Sequence, residues 1–237
     1  MKVPNKTNAF IRLMKPLLPL NVRVGLRKVH QKSVFKKAFK RFNDHYDEIE
    51  NRPEILNDLI YGWGNLGWSS FQDYTHVIIK SAKANTGPVL ECGSGLSTLL
   101  LGTIGDRRGF EVWTLEHDPG WADHVKKHLS HLEIKCVRVL SAPLKDNKGY
   151  LWYNTQGLAP SAKFSLVICD GPPHYSERQG LMPVMHASLA DKAVILLDDY
   201  VIPEEKAVAL NWQKDFNISV KECGTNDLYA HIIFSKP

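Results

Sequence analysis

The stretch Val89-Leu90-Glu91-Cys92-Gly93-Ser94-Gly95-Leu96-Ser97-Thr98-Leu99-Leu100-Leu101 constrains this 237-residue chain more than any other. A short apolar run breaks into small residues and resumes at helical density, which reads as strand, tight turn and helix. Two glycines at alternate positions let the backbone turn sharply and approach a ligand without Cβ contacts. Ser97 and Thr98 open the helix, where the first N–H groups are free. The acid Glu91 at the strand end sets this turn apart from a pyrophosphate cradle, because a carboxylate there suits an ammonium or hydroxyl ligand better than a phosphate.

Downstream the pattern alternates. Phe110–Leu115, Ile134–Leu140, Phe164–Cys169 and Ala193–Leu197 read as strands, the last two as near-continuous apolar runs buried on both faces. Trp121–Leu129, entered through Asp118-Pro119, and Glu204–Asp215 read as helices. Tyr150–Gly157 reads as an inserted edge element and Leu228–Phe234 as a last strand. Strands separated by helices imply an α/β fold with a doubly wound, mostly parallel sheet. Upstream, Phe35, Phe39, Phe42, Tyr46 and Ile49 recur at helical spacing on a helix expected from about Val29 to Arg52, after an irregular basic arm over 1–27. Tyr61–Trp68 combines three glycines with three large aromatics and reads as a loop, suited either to a lid over a ligand or to a pin on the core. The expected division is a basic arm and amphipathic helix (1–52), a lid loop and helix (53–86) and a ligand-binding domain (87–237).

In a doubly wound sheet, ligands bind beyond the carboxyl ends of the strands. The acids fall there: Glu91 after the first strand, Glu116 with His117 after the second, Asp170 after the fourth, and Asp198 with Asp199 after the fifth, while Ala142 follows the third. Glu116, 25 residues beyond Glu91, stands where a carboxylate accepts hydrogen bonds from ribose hydroxyls. A nicotinamide site would want a third glycine, and Thr98 holds that position.

On these residues the chain resembles the class I S-adenosylmethionine-dependent methyltransferases, over about Gly87 to Asp199. The strings LECGSGLSTLLL, LEHDPGWADHV, APL with a later WY, and FSLVICDGPP are similar to the branch that includes the macrocin-type sugar O-methyltransferases. The resemblance implies a Rossmann-like methyltransferase fold and a cofactor site made of Glu91, Gly93, Ser94, Gly95, Ser97, Thr98, Glu116, His117, Ala142 and Asp170. In it, Gly93 and Gly95 pass under the methionine part and Glu116 holds the ribose. Similar acids in metal-dependent O-methyltransferases imply Mg²⁺ on Asp170, Asp198 and Asp199, a hard oxygen-ligand set that would favour a substrate alkoxide.

The catechol type carries a lysine base three residues after the first acid, and this chain has Pro173 there. Asp170 and His174 are the remaining candidates to take a proton. Trp63, Trp68, Tyr175 and Arg178 are expected around the substrate, Arg178 either anchoring an anion or forming a surface ion pair.

Charge bears on partners. Residues 1–43 hold twelve Lys or Arg and no acid, which leaves 18 basic against 25 acidic residues in the remainder. Any polyanion affinity therefore belongs to the N-terminal segment, whose basic helix suits packing on its own domain, an anionic membrane surface, or nucleic acid. The four cysteines have no metal-type spacing and suit the reduced thiols of a cytoplasmic protein. No apolar stretch reaches the ~18 residues of a membrane span. The expected activity is methyl transfer to a hydroxyl of a small molecule. A nucleic-acid or amine methyltransferase, and a non-catalytic binding module held by the basic arm, are the alternatives. Oligomeric state is open.

Overall fold

The computed structural model describes residues 19–65, 72–147, 149–173 and 175–236, the side chains of 175–177 aside. The chain divides into two compact units, Met1–Gln72 and Asp73–Pro237.

The described part of the first unit is a helix pair, α1 (Leu20–Asp44) and α2 (Pro53–Trp63), joined through a 3₁₀ turn at Tyr46–Asn51. Ala38, Phe39 and Phe42 of α1 and Ile55, Leu56, Leu59 and Ile60 of α2 are buried together, as the aromatic periodicity requires. Gly62 permits the close approach: a Cβ there would stand 2.6 Å from the Phe35 backbone nitrogen. Three boundaries differ from the sequence reading: the helix expected to reach Arg52 ends at Asp44, which leaves Tyr46 and Ile49 in the 3₁₀ turn, and two others follow. After Pro19 no proline interrupts the chain until Pro53, so α1 begins at Leu20 rather than near Val29. Tyr61, Gly62 and Trp63 form the last turn of α2 rather than a loop, and Gly64, at φ 82°, ends it. Trp63 lies with its ring 5.9 Å from that of Phe35. Trp68 falls outside the described residues.

The second unit opens with α3 (Gln72–Ala84) and continues through β1 (Val89–Cys92), α4 (Leu96–Arg108), β2 (Val112–Glu116), α5 (Pro119–His131) and β3 (Val137–Ser141). A hairpin, β4 (Leu144–Asp146) with β5 (Leu151–Tyr153), precedes β6 (Phe164–Cys169), α6 (Leu181–Met185), β7 (Leu189–Leu197), α7 (Pro203–Asp215), β8 (Ile218–Cys223) and β9 (Tyr229–Phe234). The seven-stranded sheet has the order β3-β2-β1-β6-β7-β9-β8. Its first five strands pair in parallel, and β9 runs antiparallel to both β7 and β8. This is the doubly wound, mostly parallel sheet expected, with the N-terminal helical extension before it. β4 and β5 form a separate two-stranded sheet.

Every residue of β1 and β2 is buried, which is why the strands read as apolar runs around Glu91 in β1 and Thr114 in β2, with Glu116 closing β2. The core gathers Leu90, Leu115, Val167, Ile195, Trp152 and Trp212. Tyr74 ties α3 to the sheet by donating to the Leu196 carbonyl at 2.8 Å. At α5 the Asp118 carboxylate accepts from Trp121 N at 2.7 Å, the cap that Asp-Pro announces.

Candidate active site

The order places β1 beside β6, and the chain crosses the sheet in opposite directions from that point, so the turns after these strands bound a crevice. Gly93, at φ 88°, occupies the left-handed region, and a Cβ there would touch Gly171 after β6 at 3.4 Å. A Cβ on Gly171 would collide with the Tyr153 hydroxyl. A Cβ on Gly95 would meet nothing within 4 Å, so the second glycine faces open space.

The turn is held from beneath. Glu91 is fully buried and its Oε2 accepts from Thr98 Oγ1 at 2.7 Å and Thr114 Oγ1 at 2.8 Å. Gly95 N in turn donates to Thr98 Oγ1 at 2.8 Å. Burial pushes the Glu91 carboxyl up to about 7, against the opposing pull of the Ser97, Thr98 and Thr114 hydroxyls. Its second oxygen is buried with no hydrogen-bond partner among the described residues.

Glu116 ends β2 and is 3% exposed. Its Oε2 accepts from Ser94 N at 3.0 Å and Ser94 Oγ at 2.7 Å, while Oε1 accepts from Asp118 N at 2.9 Å and lies 3.0 Å from His117 Nδ1. Trp121 Nε1 donates to the Ser94 carbonyl at 2.8 Å and fixes the turn from above. Ala142 is buried beside Glu116, its N–H donating to the Glu116 carbonyl at 2.6 Å. A glycine floor open on one side, a carboxylate bonded to a hydroxyl and an N–H, and a helix N-terminus fit a cofactor with a ribose and an amino-acid end.

Across the crevice, the acids expected to hold Mg²⁺ surround an arginine. Arg178 is 2% exposed. Its guanidinium donates to the Asp170 carbonyl at 2.7 Å, the Asp198 carbonyl at 3.0 Å and Asp199 Oδ2 at 2.8 Å, and stands 3.7 Å from Asp170 Oδ1 and 3.5 Å from Glu205 Oε1. Asp198 Oδ1 accepts from the neighbouring Asp199 N–H at 2.9 Å, across a left-handed residue at φ 56°. Among the described residues no group of three or more His, Cys, Asp or Glu could hold a metal ion. The trio therefore does not fit a divalent cation as arranged, because Asp199 and the strand ends already bind a fixed organic cation. Arg178 is thus neither a surface ion pair nor an open anion anchor.

Burial, then the charges of Asp170, Asp199 and Asp227, hold the Asp198 carboxyl well above the ordinary carboxylate range. Burial likewise raises Glu205 to about 8 and Asp227 to about 6. Burial alone would lower Arg178, but Glu205, Asp170 and Asp199 keep it above its ordinary value and charged.

The structure thus brings Glu91, Gly93, Ser94, Gly95, Ser97, Thr98, Glu116, His117 and Ala142 to one side of the crevice, and Asp170, Arg178, Asp198 and Asp199 to the other. His174 lies outside the described residues, and the Tyr175 side chain is not described. Sequence reasoning missed Trp121, Asp227 and Glu205. Glu205 sits in Pro-Glu-Glu at the start of α7, where two adjacent acids read alike as dipole-favoured surface residues, and only the fold buries the second.

Residues 90–200 match the family described as "Methyltransferase domain". No curated protein matches the chain in sequence. Among solved structures, the S-adenosylhomocysteine-bound methyltransferase PaMTH1 of Podospora anserina is 14% identical, with 92% of this chain and 98% of that chain covered at a TM-score of 0.57. The precorrin-6y C5,15-methyltransferase of Geobacter metallireducens is 13% identical, covering 73% and 96% at a TM-score of 0.50. The T. thermophilus 16S rRNA N2 G1207 methyltransferase, in complex with AdoMet and guanosine, is 19% identical, covering 69% and 43% at 0.50. At such identities these likenesses establish the Rossmann-like fold, and their different acceptors show that the fold does not choose one. The segment 90–200, which holds the glycine turn, Glu116 and the acids after β6 and β7, is thus similar to methyltransferase domains and lies on the Rossmann-like fold that these structures share.

Proposed function

We propose that the enzyme methylates a hydroxyl oxygen of a small molecule, of the sugar-bearing or phenolic kind that the macrocin-type branch suggests. The observation that carries this is the Asp170 carboxylate. It follows β6 at the crevice, remains 30% exposed, and is paired at 3.7 Å with a buried guanidinium that orients it. The bound cofactor supplies a sulfonium-linked methyl group for in-line displacement, so the protein's task is to orient the acceptor oxygen and take its proton. Asp170 is the proton acceptor in this reading, with His174, four residues on, as the second candidate. Arg178 holds Asp170 and Asp199 in place by charge and by its backbone contacts. The Asp170, Asp198 and Asp199 arrangement does not fit Mg²⁺, and no step here runs through a metal.

The acids that remain partly exposed at the crevice wall, Asp170 and Asp199, face one buried arginine, a balance that disfavours a phosphodiester acceptor. The test is transfer of labelled methyl from S-adenosylmethionine to panels of phenolic and sugar hydroxyls, amines and RNA. Label in a hydroxyl, retained under chelator and reduced about 100-fold in kcat by Asp170→Asn with unchanged cofactor affinity, supports the reading. Label confined to RNA or amines overturns it.

A further inference from the structure

We propose that the N-terminal end of α1 docks the enzyme on an anionic lipid surface, a property separate from the acceptor reading above. α1 meets α2 along its later turns. His30 Nδ1 is 2.9 Å from Tyr61 Oη, and the Gln31 amide donates to the Tyr61 carbonyl at 3.1 Å. Before these, every residue from Leu20 to Val29 except Arg23 is exposed. That stretch is apolar enough to notice: Leu20 is 73% exposed, Val29 68% and Leu26 52%, with Val22 and Val24 at 40% and 44%.

The pattern on the cylinder is ordered. Val22, Leu26, Val29, Ser33, Lys36 and Lys40 follow at spacings of 4, 3, 4, 3 and 4, which is one line along a helix. Its first turns are aliphatic and its last turns cationic. Lys32 flanks it, Arg27 and Lys28 stand on the other sides of the same exposed turns, and no acid occurs before Asp44. The face opposite, with Ala38 and Phe42, is the one α2 buries, so the line described here faces away from that core.

Two properties select the occupant. Basic residues with no acid draw the helix to a negative surface, and aliphatic side chains between them gain only where acyl chains can receive them. RNA would reward the lysines but not the valines and leucine, since single-stranded binding relies on aromatic stacking and no aromatic lies between Leu20 and Val29. A lipid surface uses both.

The experiment is vesicle co-sedimentation of the full chain at about 0.1 M salt, with neutral phosphatidylcholine or with about 30% phosphatidylserine added, and random-sequence RNA as competitor. The expected result is binding to the anionic vesicles alone, weakened about 10-fold by Val22→Asp with Leu26→Asp, and weakened with a flatter salt dependence by Arg27→Glu with Lys28→Glu. Circular dichroism and S-adenosylhomocysteine affinity should be unchanged in both variants, which separates lost docking from lost folding. Equal binding to neutral vesicles, no binding to anionic ones, variants that bind as the parent does, or full displacement by RNA would each overturn the proposal.

Discussion

Arg178 is the side chain on which the second wall of the crevice depends. It is 2% exposed and gathers Asp170, Asp198, Asp199 and Glu205, so removing it strands several acids in a buried site. Arg178→Met should cost about 3–5 kcal/mol in urea unfolding, and Arg178→Lys, which keeps the charge but loses the fork, should cost distinctly less. Equal losses in the two variants would mean that the fork contributes nothing beyond charge. Glu91 gives a pH signature. Its carboxyl is raised from 4.5 to about 7 in the fold, so folding favours the protonated form. The stability this supplies is full below about pH 4.5 and is lost as the pH rises through 7. Thermal unfolding from pH 5 to 8 should therefore show the parent losing on the order of 3 kcal/mol relative to Glu91→Gln. Glu91, Gly93, Gly95 and Glu116 were legible in the sequence because turn chemistry and strand-end position are local. The environment of Arg178 was not, because its partners come from three segments up to 27 residues away.

At the scale of elements, periodicity was legible wherever one face of a helix or both faces of a strand are buried. β6 and α7 fall where their apolar patterns put them. β8 was not anticipated: Ile218–Cys223 is a sheet edge with a half-exposed, mixed face, and edge strands carry little apolar signal. The end of α2 was misread for another reason. Gly62 and Gly64 suggest a loop, yet Gly62 is the contact that lets α1 approach and only Gly64 terminates the helix. Gly62→Val should push into the Phe35 backbone and destabilise the helix pair by about 1–3 kcal/mol, read as lost helical ellipticity at a lower temperature. Gly64→Ala, strained at φ 82° but not packed against backbone, should cost less.

For the whole molecule, the order β3-β2-β1-β6-β7-β9-β8 explains why one crevice collects the chemistry: glycines and Glu116 arrive from β1 and β2, and acids from β6 and β7. The sequence announced that rim through strand ends alone, while charge separated a basic N-terminal segment from an acidic remainder. What neither shape nor charge writes into the chain is the acceptor, since specificity rests on side chains brought together from distant segments. The central claim is that the Gly93–Gly95 turn and Glu116 form the cofactor floor, and calorimetry with S-adenosylhomocysteine tests it most directly. Gly95 faces open space, so Gly95→Val should leave the unfolding temperature nearly unchanged while filling that floor. The parent should bind at one site of about micromolar affinity, weakened at least about 10-fold in Gly95→Val and in Glu116→Ala. A folded parent that binds none, or a Gly95→Val variant that binds as well as the parent, would contradict it.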